Sequence, residues 1–341
     1  MRRNREAASE EAGGDRSRHQ PVRHNLYDEI TAKIVVELAA GRLPWVQPWR
    51  STSAGVSPGL PRNALTERAY SGVNILILWG AVIDRAFPSQ SWLTFRQAIA
   101  AGGAVRKGER GTTVVYADRF IPKSEAARAA QAGEDAKAVP FLKRFTVFNV
   151  AQCEGLRSGL AADPEPLPER EVVPVAEALI AASGADFRIG GDRAFYVPSH
   201  DYIQVPPQPA FFEQINYYRT ALHELTHWTG HASRLARLGA HGLDARDYAR
   251  EELAAEMGSA FLCAHLGIVP TVRHADYIAS WLDLLRDDNR AIFRAASAAS
   301  KAADFLLAFI QQGAAEANRE GIAMPLKGRA ARSVAGQEAR A

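Results

Sequence analysis

The stretch Thr220-Ala221-Leu222-His223-Glu224-Leu225-Thr226-His227-Trp228-Thr229-Gly230-His231 decides the reading of this 341-residue chain. It holds H-E-x-x-H at 223–227. Phe212, Ile215, Ala221, Leu222 and Leu225 give the surrounding helix an apolar side with which to anchor in a core. Residues four apart on a helix share a face and are separated by about 6 Å along its axis. Two imidazoles so placed converge on one zinc ion at Zn–N distances of ~2.0–2.1 Å. Glu224, next to the first histidine, reaches the water on that ion and serves as general base. The spacing thus predicts His223 and His227 as metal ligands, Glu224 as the catalytic group, and one Zn2+ as cofactor.

A catalytic zinc site needs a third protein ligand and one open position. His231 is a poor candidate, because on a straight helix it lies about 12 Å from His223. The longer pattern that continues to a third histidine needs one at 233, where this chain has Ser233. Glu252 is the better choice. Downstream, Leu253, Met257, Ala260 and Phe261 form an apolar stripe at helical spacing, with Glu252, Glu256 and Ser259 beside it. Burying the apolar stripe tilts the carboxylates toward the histidine helix. Glu252 is then the third ligand, with Glu251 as its rival, and Glu256 holds a ligand imidazole by its free N–H. Tyr202, Tyr248 and His231 are candidates for stabilising an oxyanion. The segment 202–205 reads as an edge strand able to pair with an extended peptide.

Composition agrees with a folded enzyme-sized chain. Hydrophobic residues make up 47% and charged residues 23%, which excludes a disordered or fibrous protein for the bulk of it. The longest apolar run, 75–83, is too short to cross a membrane, and the charged start has no apolar core of a secretory signal. Only Cys153 and Cys263 occur, so neither a disulfide framework nor a cysteine zinc site is expected. A cytoplasmic location without membrane attachment follows. The net charge of +3 is unevenly spread, about +8 over 1–158 and −5 over 159–341. Such asymmetry suggests an N-terminal half that meets a polyanion.

The fold class expected is α+β. A polar arm over 1–21 leads into a helix marked by Leu26, Ile30, Ile34 and Leu38. Further helices are expected at 71–84, with Ser71 as cap, and at 94–101. Strands follow at 112–121 and 145–150, separated by a solvated excursion over 124–138. Together, 22–158 reads as a small domain of helices on an antiparallel sheet. Pro164, Pro166, Pro168 and Pro174 mark 159–174 as a linker. The second domain, 175–312, is mostly helical: 175–183, short strands at 195–197 and 202–205, then helices near 211–230, 247–266, 274–287 and 290–311. Residues 313–341 read as a disordered tail.

The first domain has no nucleotide-binding glycine motif. Its aromatic and basic residues fit another ligand. Trp45, Trp49 and Trp92 lie near Arg50, Arg62 and Arg96, and Arg106, Lys107 and Arg110 crowd a glycine-rich turn. Exposed aromatics stack on the bases of a single strand while cations follow its backbone.

Many short motifs in order are similar to the antirestriction protein ArdC family. They include Leu26-Tyr27-Asp28-Glu29-Ile30, Pro44-Trp45 with Pro48-Trp49, and Tyr70-Ser71-Gly72-Val73-Asn74. Trp92-Leu93-Thr94-Phe95, Val105-Arg106-Lys107-Gly108-Glu109-Arg110-Gly111 and Val147-Phe148-Asn149-Val150-Ala151-Gln152-Cys153 continue the series, and His223 to His231 with Tyr248 to Glu256 complete it. The resemblance spans about 22–310. It implies an N-terminal single-stranded-DNA-binding domain, shared with TraC-type plasmid primases, and a C-terminal zincin-like metallopeptidase domain of the HExxH-plus-Glu, gluzincin-like kind. It implies a protein of plasmids and other mobile elements, linked to conjugation, that shields incoming DNA from host restriction. Single-stranded DNA is the expected partner and a host protein the expected peptidase substrate. A regulatory zinc peptidase without nucleic-acid binding is the competing expectation.

Overall fold

The structure, a computed structural model, describes residues 25–46, 59–157, 159–160, 169–238, 244–269 and 277–319. Trp49, Arg50, the arm over 1–21 and most of the proline-rich segment lie outside these residues.

The N-terminal half opens with α1 (Leu26–Ala39), capped by the Asn25 side chain, which accepts from the Tyr27 amide. Leu26, Ile30, Ile34 and Leu38 are buried along one side, as their spacing of four requires. Helix α2 (Val73–Asp84) starts on Gly72 rather than Ser71. Gly72 has φ of +60°, a conformation in which a serine would be strained. The short α3 (Phe95–Ala100) carries a reciprocal capping box between Thr94 and Gln97.

Around these helices runs a four-stranded sheet in the order β1 (Arg62–Asn63), β2 (Ser91–Thr94), β5 (Val139–Asn149), β4 (Thr112–Phe120). The β1–β2 pair is parallel and the others antiparallel. A second ladder joins β3 (Ala104–Val105) to β6 (Cys153–Glu154). The expected excursion between β4 and β5 contains a helix, α4 (Lys123–Ala132), which ends on a left-handed Gly133. Its alanines favour helix wherever nothing opposes it. The outer edge of β4 is occupied at Val115: Asn74 of α2 donates to the Val115 carbonyl at 2.7 Å and accepts from its amide at 2.8 Å.

The C-terminal half begins with α5 (Glu169–Ser183), which carries Pro174 inside it. Residues 169–174 are therefore helix, not linker. A three-stranded sheet follows in the order β7 (Asp186–Ile189), β9 (Tyr202–Val205), β8 (Phe195–Val197). Strand β9 is the central strand, paired on both sides, so the expected free edge at 202–205 does not exist. Among the described residues four helices follow: α6 (Gln214–Trp228), α7 (Ala245–His265), α8 (Ile278–Asp287) and α9 (Ala291–Arg319). Helix α9 continues past 312 into the stretch expected to be a tail.

One apolar core joins both halves. Trp45 meets Trp281 of α8 with ring centroids 5.7 Å apart. Trp79 of α2 meets Phe261 of α7 at the same separation. Polar ties reinforce the seam: the Thr31 hydroxyl donates to the Asn289 carbonyl at 2.7 Å, and the Gly72 amide donates to the Ser300 hydroxyl at 2.8 Å.

Candidate metal centre

Helix α6 is buried over most of its length, including His223 and Glu224. Phe212 precedes it and is fully exposed, so its expected anchoring role falls to Ala221, Leu222 and Leu225, each fully buried. Helix α7 packs across α6 at Gly258. A Cβ at that position would meet the Thr226 side chain at 2.5 Å, so only glycine allows this approach. The close crossing brings three buried carboxylates of α7, Glu251, Glu252 and Glu256, to the histidine face. Buried carboxylates require ionic or hydrogen-bonding partners; Glu251 and Glu252 stand close to imidazoles, and Glu256 lies farther from one.

His223 Nε2 and His227 Nε2 lie 3.1 Å apart. Glu252 Oε2 is 3.6 Å from the first and Glu252 Oε1 is 3.4 Å from the second. A tetrahedral ion with bonds of ~2.05 Å separates its ligand atoms by ~3.3 Å. The donor set and its spacing therefore fit a metal ion, and among the described residues this is the one group of histidine, cysteine and carboxylate side chains so arranged.

The two remaining carboxylates face the other ring nitrogens. Glu251 Oε1 lies 3.2 Å from His227 Nδ1. Glu256 Oε1 stands 3.9 Å from His223 Nδ1, beyond direct hydrogen-bonding distance. Glu251 thus has the orienting geometry that the sequence suggested for Glu256. Burial disfavours charge on the His227 imidazole, but Glu251 and Glu252 outweigh it and raise it to about 10. Burial likewise pushes Glu252 upward, and the two imidazoles overcome this to hold its carboxyl far below the usual range.

His231 lies beyond the end of α6, with its Nδ1 2.7 Å from the Ser233 hydroxyl and outside the metal-fitting group. Tyr202 is covered by the Arg188 guanidinium, 3.9 Å from its ring. Tyr248 is half-exposed, with its hydroxyl 3.0 Å from that of Tyr277. Burial, then hydrogen bonds with Tyr277 and Glu252, raise its ionisation well above the ordinary phenol range. Of the three oxyanion candidates, Tyr248 is therefore the one coupled to Glu252, a member of the metal-fitting group.

In the N-terminal half, Trp45 and Trp92 are fully buried. Neither offers a ring face to a base, which corrects their reading as stacking residues: each fills the core. Arg62 is half-buried in β1, whereas Arg96, Arg106, Lys107 and Arg110 are exposed. Arg106 pairs with Glu109 at 2.9 Å. Phe95, Tyr116 and Phe145, which sequence reasoning passed over, are exposed instead. Tyr116 and Phe145 contact each other on one face of the β4–β5 hairpin, and the Lys143 ammonium sits 5.2 Å from the Phe145 ring. Period two alone did not carry this signal: Tyr116 and Phe145 share their strand faces with the buried Val114 and Val147, and stand out because 143–146 are all exposed.

The helix-borne HExxH, the carboxylate helix crossing it and the small adjoining sheet define a zincin-like class of protein. A family model described as zincin-like metallopeptidase matches residues 174–298, and one for the N-terminal domain of anti-restriction factor ArdC matches 24–148. The metal-free crystal structure of antirestriction protein ArdC from plasmid R388 superposes with a TM-score of 0.71 at 39% identity, covering 84% of this chain and 98% of that one. Its Mn(II)-bound structure gives 0.69 at the same identity and coverage. An uncharacterised protein of Sinorhizobium fredii, y4eC, is 38% identical over 89% of this chain and 97% of its own length. The DNA primase TraC of Escherichia coli is 38% identical over 90% of this chain, which spans only 29% of that primase. The chain belongs to the ArdC family of antirestriction proteins. No helix among the described residues is long and apolar enough to cross a membrane.

Proposed function

We propose that this chain protects DNA entering a host cell from restriction, binding single-stranded DNA through 22–158 and holding one Zn2+ in 175–312. It acts in the cytoplasm on behalf of a mobile element. The observation that carries this reading is the convergence of His223, His227 and Glu252 beside Glu224, in a chain of this family. The Mn(II)-bound form of the R388 relative supports a divalent ion, and the nitrogen-rich donor set favours zinc.

A bound zinc ion supplies Lewis acidity toward a carbonyl oxygen and toward water. Glu224 takes the proton of the attacking water and passes it to the departing amine. Glu251 orients His227, and the Tyr248 hydroxyl faces the developing oxyanion. On the DNA side, Phe95, Tyr116 and Phe145 offer ring faces to bases, while Arg96, Lys143 and the turn bearing Arg106, Lys107 and Arg110 follow the phosphates. The peptidase substrate is a host protein.

Binding of the full chain to a fluorescent single-stranded oligonucleotide, beside the matching duplex and across a salt series, tests the DNA arm. Tight single-strand binding that weakens steeply with salt is expected. The burial of Trp45 and Trp92 favours a second reading, a regulatory zinc peptidase with no nucleic-acid affinity. Absence of binding at low salt would establish that second reading over the first.

A further inference from the structure

Two adjacent glutamates, Glu251 and Glu252, are both buried against His227, and Glu252 also faces His223. On a helix they point about 100° apart, and either carboxylate is a competent metal ligand by chemistry alone. Something must keep Glu251 from the ion. Arg237, in the segment after α6, meets that need.

Arg237 Nη2 donates to Glu251 Oε1 at 2.9 Å and Nε donates to Oε2 at 3.2 Å. This two-point grip fixes the plane of the carboxylate as a single bond would not. The same guanidinium donates to the Thr229 hydroxyl at 2.8 Å and to the Thr226 carbonyl at 2.6 Å. It is thus anchored to the C-terminal turn of the very helix that carries His227. Side-chain exposure is only 13% for Arg237 and 8% for Glu251, so water does not screen the pair strongly. Gly230 leaves room beside the guanidinium: a Cβ there would stand 3.0 Å from Arg237 Nη2, closer than ordinary contact.

We infer that Arg237 is a positioning residue that selects the metal ligand: it holds Glu251 on His227 Nδ1 and leaves Glu252 as the carboxylate facing both Nε2 atoms. With Glu251 gripped at both oxygens, its free lone pair is directed to the imidazole N–H. That fixes His227 as the tautomer protonated at Nδ1, with Nε2 bare toward the ion. Without the grip, Glu251 is released to swing, and the imidazole loses its fixed orientation.

The inference rests on the metal site proposed above, and the experiment separates the two. Zn2+ and Mn2+ are titrated into the metal-stripped full chain against a chromophoric chelator. Failure of the parent chain to bind either ion overturns the site itself. If the parent binds, Arg237→Gln is expected to weaken binding by about 10–100-fold, and Arg237→Lys, which keeps the charge and one donor, by less. Glu251→Gln should weaken it to a similar extent, and adding Arg237→Gln to it should cause little further loss. In the zinc-loaded parent, nitrogen-15 spectra should show a slowly exchanging Nδ1–H on His227 that Arg237→Gln removes. Parent-like affinity in Arg237→Gln, or losses that simply multiply in the double variant, would overturn the role. Should Arg237→Gln not fold when metal-free, Arg237→Lys and Glu251→Gln with the His227 signal decide the question alone.

Discussion

Trp79 on α2 and Phe261 on α7 meet edge to face, their ring centroids 5.7 Å apart. Phe261 lies nine residues beyond Glu252 on the same helix, so the helix supplying the carboxylate leans on the N-terminal half. Both side chains are buried in a core common to the two halves. The chain should therefore unfold in one transition, with far-ultraviolet dichroism and tryptophan emission coinciding. Trp79→Ala should cost roughly 3–5 kcal/mol and shift that single transition intact. Two separable transitions would show that the halves are stable independently.

Glu224 follows His223 in sequence without being one of the three converging groups that fit a metal ion. Glu224→Gln should retain the stoichiometric metal of the parent, measured by elemental analysis, and lose peptide hydrolysis. Glu252→Gln should lose metal as well. Hydrolysis surviving in Glu224→Gln would remove it from the role of base.

Exposed and buried aromatics predict opposite outcomes in the N-terminal half. Phe145→Ala and Tyr116→Ala should each weaken single-strand binding by about 1–3 kcal/mol at little cost to melting temperature. Trp92→Ala should lower the melting temperature instead, because Trp92 is enclosed in the core against Phe87. Unchanged affinity in both surface variants would place the strand elsewhere on the molecule.

Asp201, in the turn between β8 and β9, accepts from Arg234 Nη1 at 2.9 Å and from the Tyr196 hydroxyl at 2.8 Å. Arg234 also stacks over Trp228 at the end of the histidine helix. The Arg234 bonds above all hold the Asp201 carboxyl below its ordinary value. Protonation therefore favours the unfolded chain, and the contribution is present above about pH 4 and lost as pH falls below it. Asp201→Asn should melt earlier than the parent at neutral pH, and the difference should close below pH 4. Asparagine tolerates the φ of +53° found there, so backbone strain does not obscure the comparison. A difference independent of pH would exclude the charge as its source.

What the sequence made legible follows from periodicity. Leu26, Ile30, Ile34 and Leu38 declared α1, and the placement of Glu252 and Glu256 beside an apolar stripe showed which helix crosses the histidines. Strand β7 was hidden because its pairing with β9 is parallel and joins residues far apart in sequence; no local pattern encodes such a partner. Strand order is equally non-local, which is why Tyr202 to Val205 could be read as an edge and is central. Tryptophan is ambiguous for another reason. It combines a large apolar body with one donor, so the same residue suits a core or a surface, and only packing against Phe87 or Trp281 distinguishes them. Glu251 and Glu252 are indistinguishable by spacing, and the arginine that separates their surroundings comes from a loop 14 residues away.

The Asn74 amide occupies the outer rim of β4 at Val115. Its C=O and NH2 counterfeit a peptide group, so the position where a neighbouring strand would dock is already filled. A β-hairpin with exposed aromatics and an open rim is a template for fibre growth. Here a single side chain from an abutting helix blunts that template at Val115, beside the exposed Tyr116.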